Sequence, residues 1–259
     1  MKLREELKGI RLLMVILLSA VIGGCATIPQ FTKQPFKIDQ AKFHADIKTI
    51  ALEPLSVSEK LKQADKVEAE FEALIVAKLK EAGFSTISSK KYEKIWKMLV
   101  KKEGNLFDPQ TGKKDETKIK RVRKQCMEKL SSDSHVDAVL QPRIIVSGAK
   151  FSQCKARWNG TEDEVESCSF LGSNFSGKVP ALSLLVRIED KNGKIAYMNA
   201  GGIHVIAKLQ TGAFKAAKFI PVNENAYFAS KDRNKEAVNI ALNPLMKQTA
   251  SDASLKKKP

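Results

Sequence analysis

The side chains that most often carry acid–base chemistry are few in this sequence and stand apart from one another. The three histidines, His44, His135 and His204, lie in unrelated contexts, with no nucleophile or carboxylate nearby in the chain that completes a catalytic arrangement. No phosphate-binding glycine loop, nucleophile elbow or metalloprotease motif occurs. We therefore expect structural histidines and a protein that is not an enzyme. The alternative is an active site assembled from residues far apart in the sequence.

A short acidic stretch is the next candidate for metal chemistry. Its carboxylates belong to Glu162, Asp163, Glu164 and Glu166. They could bind a cation, yet they lack the oxygen-ligand spacing of a calcium loop. The sequence predicts a solvated acidic loop, with no metal and no cofactor.

Cys25 is set apart by what precedes it. Four basic residues open the chain: Lys2, Arg4, Lys8 and Arg11. Residues 12–22 then carry no charge, which is typical of a signal peptide. Such a run rises only about 16 Å as a helix, against a hydrocarbon core of about 30 Å, so it is too short for an ordinary spanning helix.

The stretch Ile22-Gly23-Gly24-Cys25 resembles the bacterial lipobox, which precedes cleavage by a lipoprotein signal peptidase. The resemblance implies that residues 1–24 are removed and that Cys25 becomes a diacylglycerol- and palmitate-bearing first residue. Several acyl chains hold a protein on a membrane essentially permanently. The alternative is cleavage by the general signal peptidase near Ala20 or Ala26, which would leave Cys25 an ordinary thiol.

The residues after Cys25 suggest a location and a tether. Ala26 is not aspartate, which by analogy with enteric lipoproteins resembles the default for export to the outer membrane. We expect a protein anchored by its lipid to the periplasmic face of that membrane. Residues 25–42 contain Pro29 and Pro35 without a helical apolar period, which predicts a flexible tether.

The other three cysteines would meet an oxidising compartment after export. Cys154 and Cys168 bracket a polar stretch, and closing this 15-residue loop stabilises by roughly 3 kcal/mol in the entropic model. We predict a Cys154–Cys168 disulfide. Free thiols, a pairing with Cys126 or a metal site are the alternatives, and the spacing supplies no further ligands for a metal. Cys126 falls on the apolar stripe of a predicted helix and is expected to be buried.

Residues 43–150 alternate between strand and helix patterns. Short apolar runs predict buried strands at 47–54, 84–87 and 136–146. Apolar residues spaced by three and four predict helices at 67–82, 90–102 and 115–130. Pro142 favours an edge or a bulge in the last strand. The pattern predicts an α+β or α/β fold, in which helices cover a small mixed sheet.

Residues 151–248 are expected to form a β-rich extension that packs on the same core. Alternating apolar residues at 182–188 and a turn at 190–193 predict an antiparallel β-hairpin or meander. Gly201-Gly202 would mark a bulge or break in its second strand. A last helix, 234–246, is expected to be shortened by Pro244, and residues 249–259 to be a disordered basic tail.

Two resemblances to known families follow from these stretches. The segments IKTIALEP, LIVAKLKEAGFSTIS and SHVDAVLQPRIIV look like the α/β domain of TolB amino-terminal domains, curli secretion-channel lipoproteins and lipoprotein activators of peptidoglycan synthases. The segments FDPQTGKKDETK, KARWNG, ALSLLVRIED, GGIHVIAKL and AVNIALNPL look like an uncharacterised family of proteobacterial lipoproteins. The second resemblance spans most of the mature chain and implies no activity.

The charge of the chain bears on its partners. The whole sequence carries a formal +16, and removing the four basic and two acidic residues of the signal segment leaves 16 − 2 = +14. Nucleic acid is the usual partner of a protein with such a positive charge. Because this protein is expected to be exported to the cell envelope, we do not expect nucleic acid to be its partner. Anionic lipid, lipopolysaccharide, cell-wall polymer or an acidic protein would be available instead. The candidate face for such a partner comprises Lys118, Lys120, Arg121, Arg123 and Lys124; the alternative is an ordinary solvated helix face.

Two classes of function remain open. The first is a lipid-anchored, non-catalytic binding module or adapter of the cell envelope. The second is an oligomeric channel, as in the curli lipoproteins, whose hairpin strands enter the membrane. A membrane strand needs about 9–11 residues of strict alternation, and Leu185 interrupts the alternation of the best candidate. We therefore favour the adapter.

Overall fold

A computed structural model describes residues 34–57, 61, 64–152, 154–165, 176–212 and 215–246. Within these residues the α-helices are α1 Gln40–Asp46, α2 Ala64–Glu81, α3 Ser89–Glu103, α4 Glu116–Ser134 and α5 Lys231–Leu242. Two 3₁₀ turns, Glu224–Ala226 and Asn243–Leu245, flank α5. Pro244 lies in the second turn, so the last helix is shortened as predicted.

The strands form one mixed sheet and a separate hairpin. The mixed sheet contains β1 Thr49–Leu52, β2 Ser56–Val57, β3 Ser85–Ile87, β4 Ala138–Ser152, β5 Lys155–Trp158, β6 Thr161–Glu164, β7 Ser176–Asp190 and β8 Ile195–Val205. The hairpin consists of β9 Ala207–Gly212 and β10 Lys215–Pro221. The mixed α/β class and the antiparallel addition in the second half are confirmed.

The topology joins the two halves of the chain through the long strand β4. On one edge, β4 pairs in parallel with β1 and β2; on the other, it pairs with β7 in antiparallel fashion from Ala138 to Ser152. β3 and β8 extend the sheet beyond β1 and β7. The predicted domain boundary after residue 150 therefore falls inside one strand.

Helices cover opposite faces of the sheet because alternate residues of a strand point to opposite sides. Ile50 and Leu52 of β1 share a core cluster with α2 and α5. Ala51, between them, belongs to another cluster with α3 and α4. A third cluster lies where β5 and β6 pack near β8, and it contains Phe151 and Trp158.

The expectation that Pro142 marks a sheet edge or bulge is wrong, since β4 has strands on both sides. The backbone N–H of Glu53 donates to Leu140 O, so the backbone polar groups of Leu140 face β1. Because these groups alternate between the two sides of a strand, the nitrogen of Pro142, two residues later, faces the same side. On that side the pairing stops at Leu140 and resumes at Arg143. The missing donor of Pro142 thus coincides with the gap between β1 and β2.

The predicted irregularity at Gly201-Gly202 is confirmed by a register shift opposite Leu182 and Ser183. Both glycines are also points of close approach. A Cβ on Gly201 would lie 2.0 Å from Ala237 O of α5, and one on Gly202 would lie 2.7 Å from Thr161 Cβ. The missing side chains let α5 pack on one face and the β5–β6 hairpin on the other.

The predicted tether, 25–42, extends too far at its carboxyl end. Phe36 forms an antiparallel bridge with Tyr197, and its ring packs edge-on against that residue and Phe43. Lys37 N donates to Ala196 O. These contacts fix the chain before α1 on the edge of β8; the part of the tether before residue 34, with Cys25, lies outside the described residues.

None of the helices in the described ranges is long and apolar enough to cross a membrane.

Candidate ligand-binding groove

A polar groove opens where the parallel strands end, between α3, α4 and the exposed part of the sheet. Glu53 directly follows β1. The connection from β1 to β3 runs through α2 on one face of the sheet, and the connection from β3 to β4 runs through α3 and α4 on the other face. Such a switch in direction at the carboxyl ends of strands leaves a crevice in α/β sheets. Two adjoining cavities of about 580 and 590 Å³ lie here and share Glu53, Tyr92 and Arg123. Each has the size of a small-molecule site.

Glu53 connects both helices to the sheet. The hydroxyl of Tyr92, on α3, donates to Glu53 Oε1 at 2.8 Å. Gln141, on β4, donates from Nε2 to the same oxygen at 3.2 Å. Arg123, on α4, lies with Nε 4.0 Å from it. Asp115 caps α4 by accepting from Thr117 N and Lys118 N, which fixes the start of the helix that carries Arg123.

Gln141 is the most deeply buried polar residue of the groove, with 1% of its surface exposed. Its Nε2 also donates to Glu189 Oε2 at 3.2 Å. Because ionised carboxylates only accept, this fixes the orientation of the amide and turns Oε1 away from both glutamates. Gln141 Oε1, Arg123 Nε and Arg187 Nε are all buried without a hydrogen-bond partner. Buried polar atoms are normally paired, and these three belong to residues that line one cavity, so water or a ligand there could supply the missing partners.

The two nucleophile candidates next to the groove are held in their protonated forms. Burial, reinforced by the negative charge of Glu53, raises the pKa of Tyr92 well above its usual range. Burial and the same carboxylate raise the pKa of Cys126 to about 12. The predicted burial of Cys126 is confirmed, and its thiol is unreactive in this setting.

The five basic residues predicted as one anion-binding face divide between two sides of α4. Lys118 Nζ donates to Asn105 O at 3.1 Å, and Arg121 pairs with Glu103 at the end of α3. Lys120, Arg123 and Lys124 instead line the larger cavity. The structure therefore places three of the five residues at the groove and uses the other two to hold α4 against α3.

One wall of the smaller cavity is aromatic. Trp96 lies one helical turn after Tyr92 on α3, and the two rings are nearly parallel, at 12°, with centroids 6.2 Å apart. Pro54 and Val100 line the same cavity. The three-and-four apolar spacing of residues 90–102 predicts both rings as part of the core, and Tyr92 is buried, but Trp96 is only half-buried and lines the groove.

A second polar cluster lies at the other end of the sheet and corrects the prediction of a solvated acidic loop. Residues 161–164 form β6, and Asp163 points inward. Its Oδ2 lies 2.8 Å from His204 Nδ1 and accepts from Val205 N at 3.2 Å, while Oδ1 accepts from Arg233 Nη2 at 2.8 Å. His204 thus has a carboxylate partner, Asp163, that lies 41 positions away in the sequence.

The charge state of Asp163 follows from these contacts. Burial alone would raise its pKa, but the hydrogen bonds from His204 and Arg233 outweigh that effect and hold the pKa of Asp163 well below its usual range. The cluster therefore ties β6, β8 and α5 together as a structural ion pair. The other histidines lie elsewhere: His135 ends α4 in a left-handed conformation, and His44 stacks on Phe84.

Several predicted sites lie beyond what the structure describes. Cys168 and Glu166 fall outside the described residues, so the Cys154–Cys168 disulfide stays a prediction. Cys154 is half-buried and packs against the cluster that contains Phe151. Among the described residues, no group of three or more His, Cys, Asp or Glu side chains could hold a metal ion.

Most residues that line the groove cannot be identified as site residues from the sequence alone. Glu53, Gln141, Arg187 and Glu189 lie on three different strands or strand ends. The available signal is the position of Gln141, a polar residue within the apolar run VLQPRII. A polar residue at an inward position of a buried strand needs a hydrogen-bond partner, and Gln141 donates to two glutamates.

Comparison with known proteins gives only remote similarity. No family model matches the chain, and no curated protein matches it by sequence. Among solved structures, a PelC dodecamer from Paraburkholderia phytofirmans is 10% identical, with 78% of this chain and 91% of that chain covered at a TM-score of 0.35. A putative neuraminyllactose-binding hemagglutinin homolog from Helicobacter pylori is 8% identical, with 87% and 92% covered at a TM-score of 0.34. Neither similarity is close enough to transfer a function.

Proposed function

We propose that this protein is a lipid-anchored, non-catalytic binding module of the cell envelope, which holds an anionic envelope component in the groove between α4 and the sheet. The observation that carries the proposal is the set of unpartnered buried atoms at that groove: Arg123 Nε, Gln141 Oε1 and Arg187 Nε. Polar atoms left unpaired in this way weaken the free protein, and a ligand that pairs with them recovers that free energy.

The pairing within the groove supports binding rather than catalysis. Glu53 accepts from Tyr92 and Gln141, and Glu189 accepts from Gln141 and Arg187. Each carboxylate is thus engaged by neighbouring donors instead of being directed at a nucleophile. Tyr92 and Cys126 keep their protons because their pKa values are raised.

The charge of the lining supports an anionic ligand. Seven basic and five acidic side chains line the two cavities together. Four of the acidic groups already face basic partners in the lining: Glu53 lies beside Arg123, Glu93 pairs with Lys97, Glu128 with Lys124, and Glu189 with Arg187. A net positive lining attracts anions and raises their local concentration.

Membrane attachment is the second element of the proposal and rests on the lipobox-like residues before Cys25. A diacylglyceryl and palmitoyl anchor at Cys25 would hold the domain at the periplasmic face of the outer membrane. The channel alternative is weakened by the position of its best candidate strand. β7 pairs with β4 on one edge and β8 on the other, so it cannot enter a membrane without breaking the central sheet.

Two measurements in cells test the two elements separately. Labelling with an alkynyl palmitate should mark the wild-type protein and not Cys25→Ala, and the variant should leave the membrane fraction. An unlabelled wild type would contradict the anchor.

For the binding element, a tagged full-length protein is cross-linked in the envelope, and the captured material is compared between two charge reversals. Lys120→Glu/Lys124→Glu should lose most of the specific capture. Lys231→Glu/Lys235→Glu, an exposed pair with the same spacing on α5, should retain it. Equal capture by both double variants would contradict a role for the groove.

A further inference from the structure

We infer that the ligand of the groove is an acidic glycan segment, a conclusion that rests on the proposed binding function and specifies its chemistry. Three features carry it: the kinds of atom left unpartnered, the aromatic wall and the net charge. Each of them narrows the ligand class independently.

The unpartnered atoms require a ligand that both donates and accepts hydrogen bonds. Arg123 Nε and Arg187 Nε are donors and need acceptors, whereas Gln141 Oε1 is an acceptor and needs a donor. Phosphate dianions and carboxylates only accept, so they would leave Gln141 Oε1 unpaired. A hydroxyl group does both, and neighbouring hydroxyls on a sugar ring present several such groups on a rigid frame.

The aromatic wall requires a ligand with an apolar face. Trp96 is half-buried and lines, with Pro54 and Val100, the cavity that adjoins the polar one. Its ring is braced by the nearly parallel ring of Tyr92, which is fixed in turn by its hydrogen bond to Glu53. The C–H face of a pyranose packs on such a ring, whereas its hydroxyl edge reaches polar groups. An amphipathic aromatic side chain suits this kind of contact.

The net charge then selects an acidic sugar over a neutral one. The basic excess in the lining includes Lys120, on α4, and Lys191, in the turn between β7 and β8, on either side of the larger cavity. The two cavities share Glu53, Tyr92 and Arg123, so more than one sugar unit of a chain can be accommodated along them. A carboxylate on one unit would be attracted by the lysines while the hydroxyls of another engage Gln141.

The test measures binding of oligogalacturonate to the full lipid-bearing protein in detergent, by calorimetry or ligand-observed NMR. A neutral gluco-oligosaccharide and an oligoglutamate of equal length serve as comparison probes. We expect oligogalacturonate to bind most tightly, the neutral glycan more weakly and the acidic peptide most weakly. Binding of oligoglutamate at least as tight as that of oligogalacturonate would overturn the inference, since the groove would then select charge and not sugar.

Variants on the two walls sharpen the test. Trp96→Ala should weaken oligogalacturonate binding by about tenfold or more, and Gln141→Leu by about fivefold to tenfold. Met98→Ala, an exposed apolar residue on the same helix, should change it less than about twofold. The melting temperature of each variant establishes that it is folded. Equal affinities for all three variants, or no binding of oligogalacturonate by the wild type, would contradict the glycan assignment.

Failure of this inference is distinguishable from failure of the proposed function. If oligogalacturonate does not bind but Lys120→Glu/Lys124→Glu still abolishes capture in the envelope, the groove binds a different class of partner. If capture is also unaffected, the groove has no binding role.

Discussion

The two buried polar clusters of this sheet, around Asp163 and around Gln141, differ in how completely their polar atoms are hydrogen-bonded. At Asp163 both carboxylate oxygens are engaged, by His204, Val205 and Arg233. Arg233 keeps Nη1 unpartnered on a side chain that is 38% exposed, the same exposure as that of Arg123 in the groove. At Gln141, with 1% exposure, one amide atom serves two glutamates and the other has no partner. The clusters therefore differ at their most buried residue: Asp163 is fully paired and fastens elements together, whereas Gln141 keeps one buried oxygen unpaired.

The difference indicates how the molecule divides its roles. The end of the sheet near β5 and β6 is closed by close approach at Gly202 and by the ion pairs of Asp163. The end near Glu53 stays open and lined with polar groups. Local departures from complete polar pairing are expected at functional sites. Mutations should therefore affect stability at the first end and binding at the second.

A large loss of stability is expected from a side chain at Gly202, under the β5–β6 hairpin. In Gly202→Val the new side chain would start 2.7 Å from Thr161 Cβ and 2.8 Å from Trp158, so the β5–β6 hairpin must move away from the sheet. We expect a loss of about 3 kcal/mol or more in the free energy of unfolding. Gly148→Ala is the matched control, because its Cβ would make only an ordinary contact, at 3.7 Å, with the Lys178 side chain. Similar denaturation midpoints for the two variants would show that the hairpin does not depend on close approach.

The predicted disulfide extends the same closed end. Breaking a Cys154–Cys168 bridge that closes a 15-residue loop should lower stability by roughly 3 kcal/mol in the entropic model. The measurement is the melting temperature of Cys154→Ser/Cys168→Ser beside that of the wild type. Intact-mass analysis after alkylation without reductant is the companion test. Alkylation of both cysteines in the native protein would rule the bridge out.

At Asp163 we expect a smaller effect with a distinct pH dependence. Asp163→Asn removes a buried charge from His204 and Arg233 and should lower stability by about 2 kcal/mol at neutral pH. Because the pKa of Asp163 is lowered in the folded state, its stabilisation is present above the unfolded value of about 3.9 and is lost as the pH falls below it. The variant should therefore lose less stability than the wild type on acidification below about pH 4.

Glu162 provides the control for that experiment. It is the exposed neighbour of Asp163 on β6 and pairs with Lys155 and Arg157 at the surface. Glu162→Gln should leave the unfolding curve almost unchanged at neutral pH, since exposed ion pairs stabilise little. Equal destabilisation by Asp163→Asn and Glu162→Gln would mean that the buried Asp163 cluster does not hold β6, β8 and α5 together.

The smallest effect on stability is expected in the groove. Gln141→Leu removes two hydrogen bonds but also an unpaired buried oxygen, and Glu53 and Glu189 keep Tyr92 and Arg187 as donors. These terms oppose each other, so the free energy of unfolding should change by no more than about 1 kcal/mol. Chemical denaturation of the variant provides the measurement. A loss larger than that of Asp163→Asn would show that Gln141 is primarily structural.

The elements of the fold could be predicted because their signals are local. The four-residue spacing of Phe71, Ile75 and Leu79 identifies α2, and all three residues are buried. β6 was missed because its alternation is hidden: in Thr-Glu-Asp-Glu every residue is polar, yet Thr161 and Asp163 face inward. Hydropathy cannot distinguish a buried, ion-paired aspartate from a solvated one.

The groove could not be predicted because it depends on long-range pairing. Gln141 meets Glu53 across 88 positions and Glu189 across 48. Those contacts follow from β4 being flanked by β1 and β7, an arrangement that periodicity does not determine. The basic run on α4 was visible in the sequence, but only the fold shows that Lys120 and Arg123 line a cavity while Arg121 pairs with Glu103.

The most direct test of the binding role places a photo-cross-linking amino acid at position 120, at the groove, and at position 235, on the exposed surface of α5, in the full-length protein in cells. If the groove binds a ligand, position 120 should give a distinct cross-linked species that is lost in the Gln141→Leu background, and position 235 should not give that species. The same species from both positions, or none from position 120, would contradict a ligand-binding groove between α4 and the sheet.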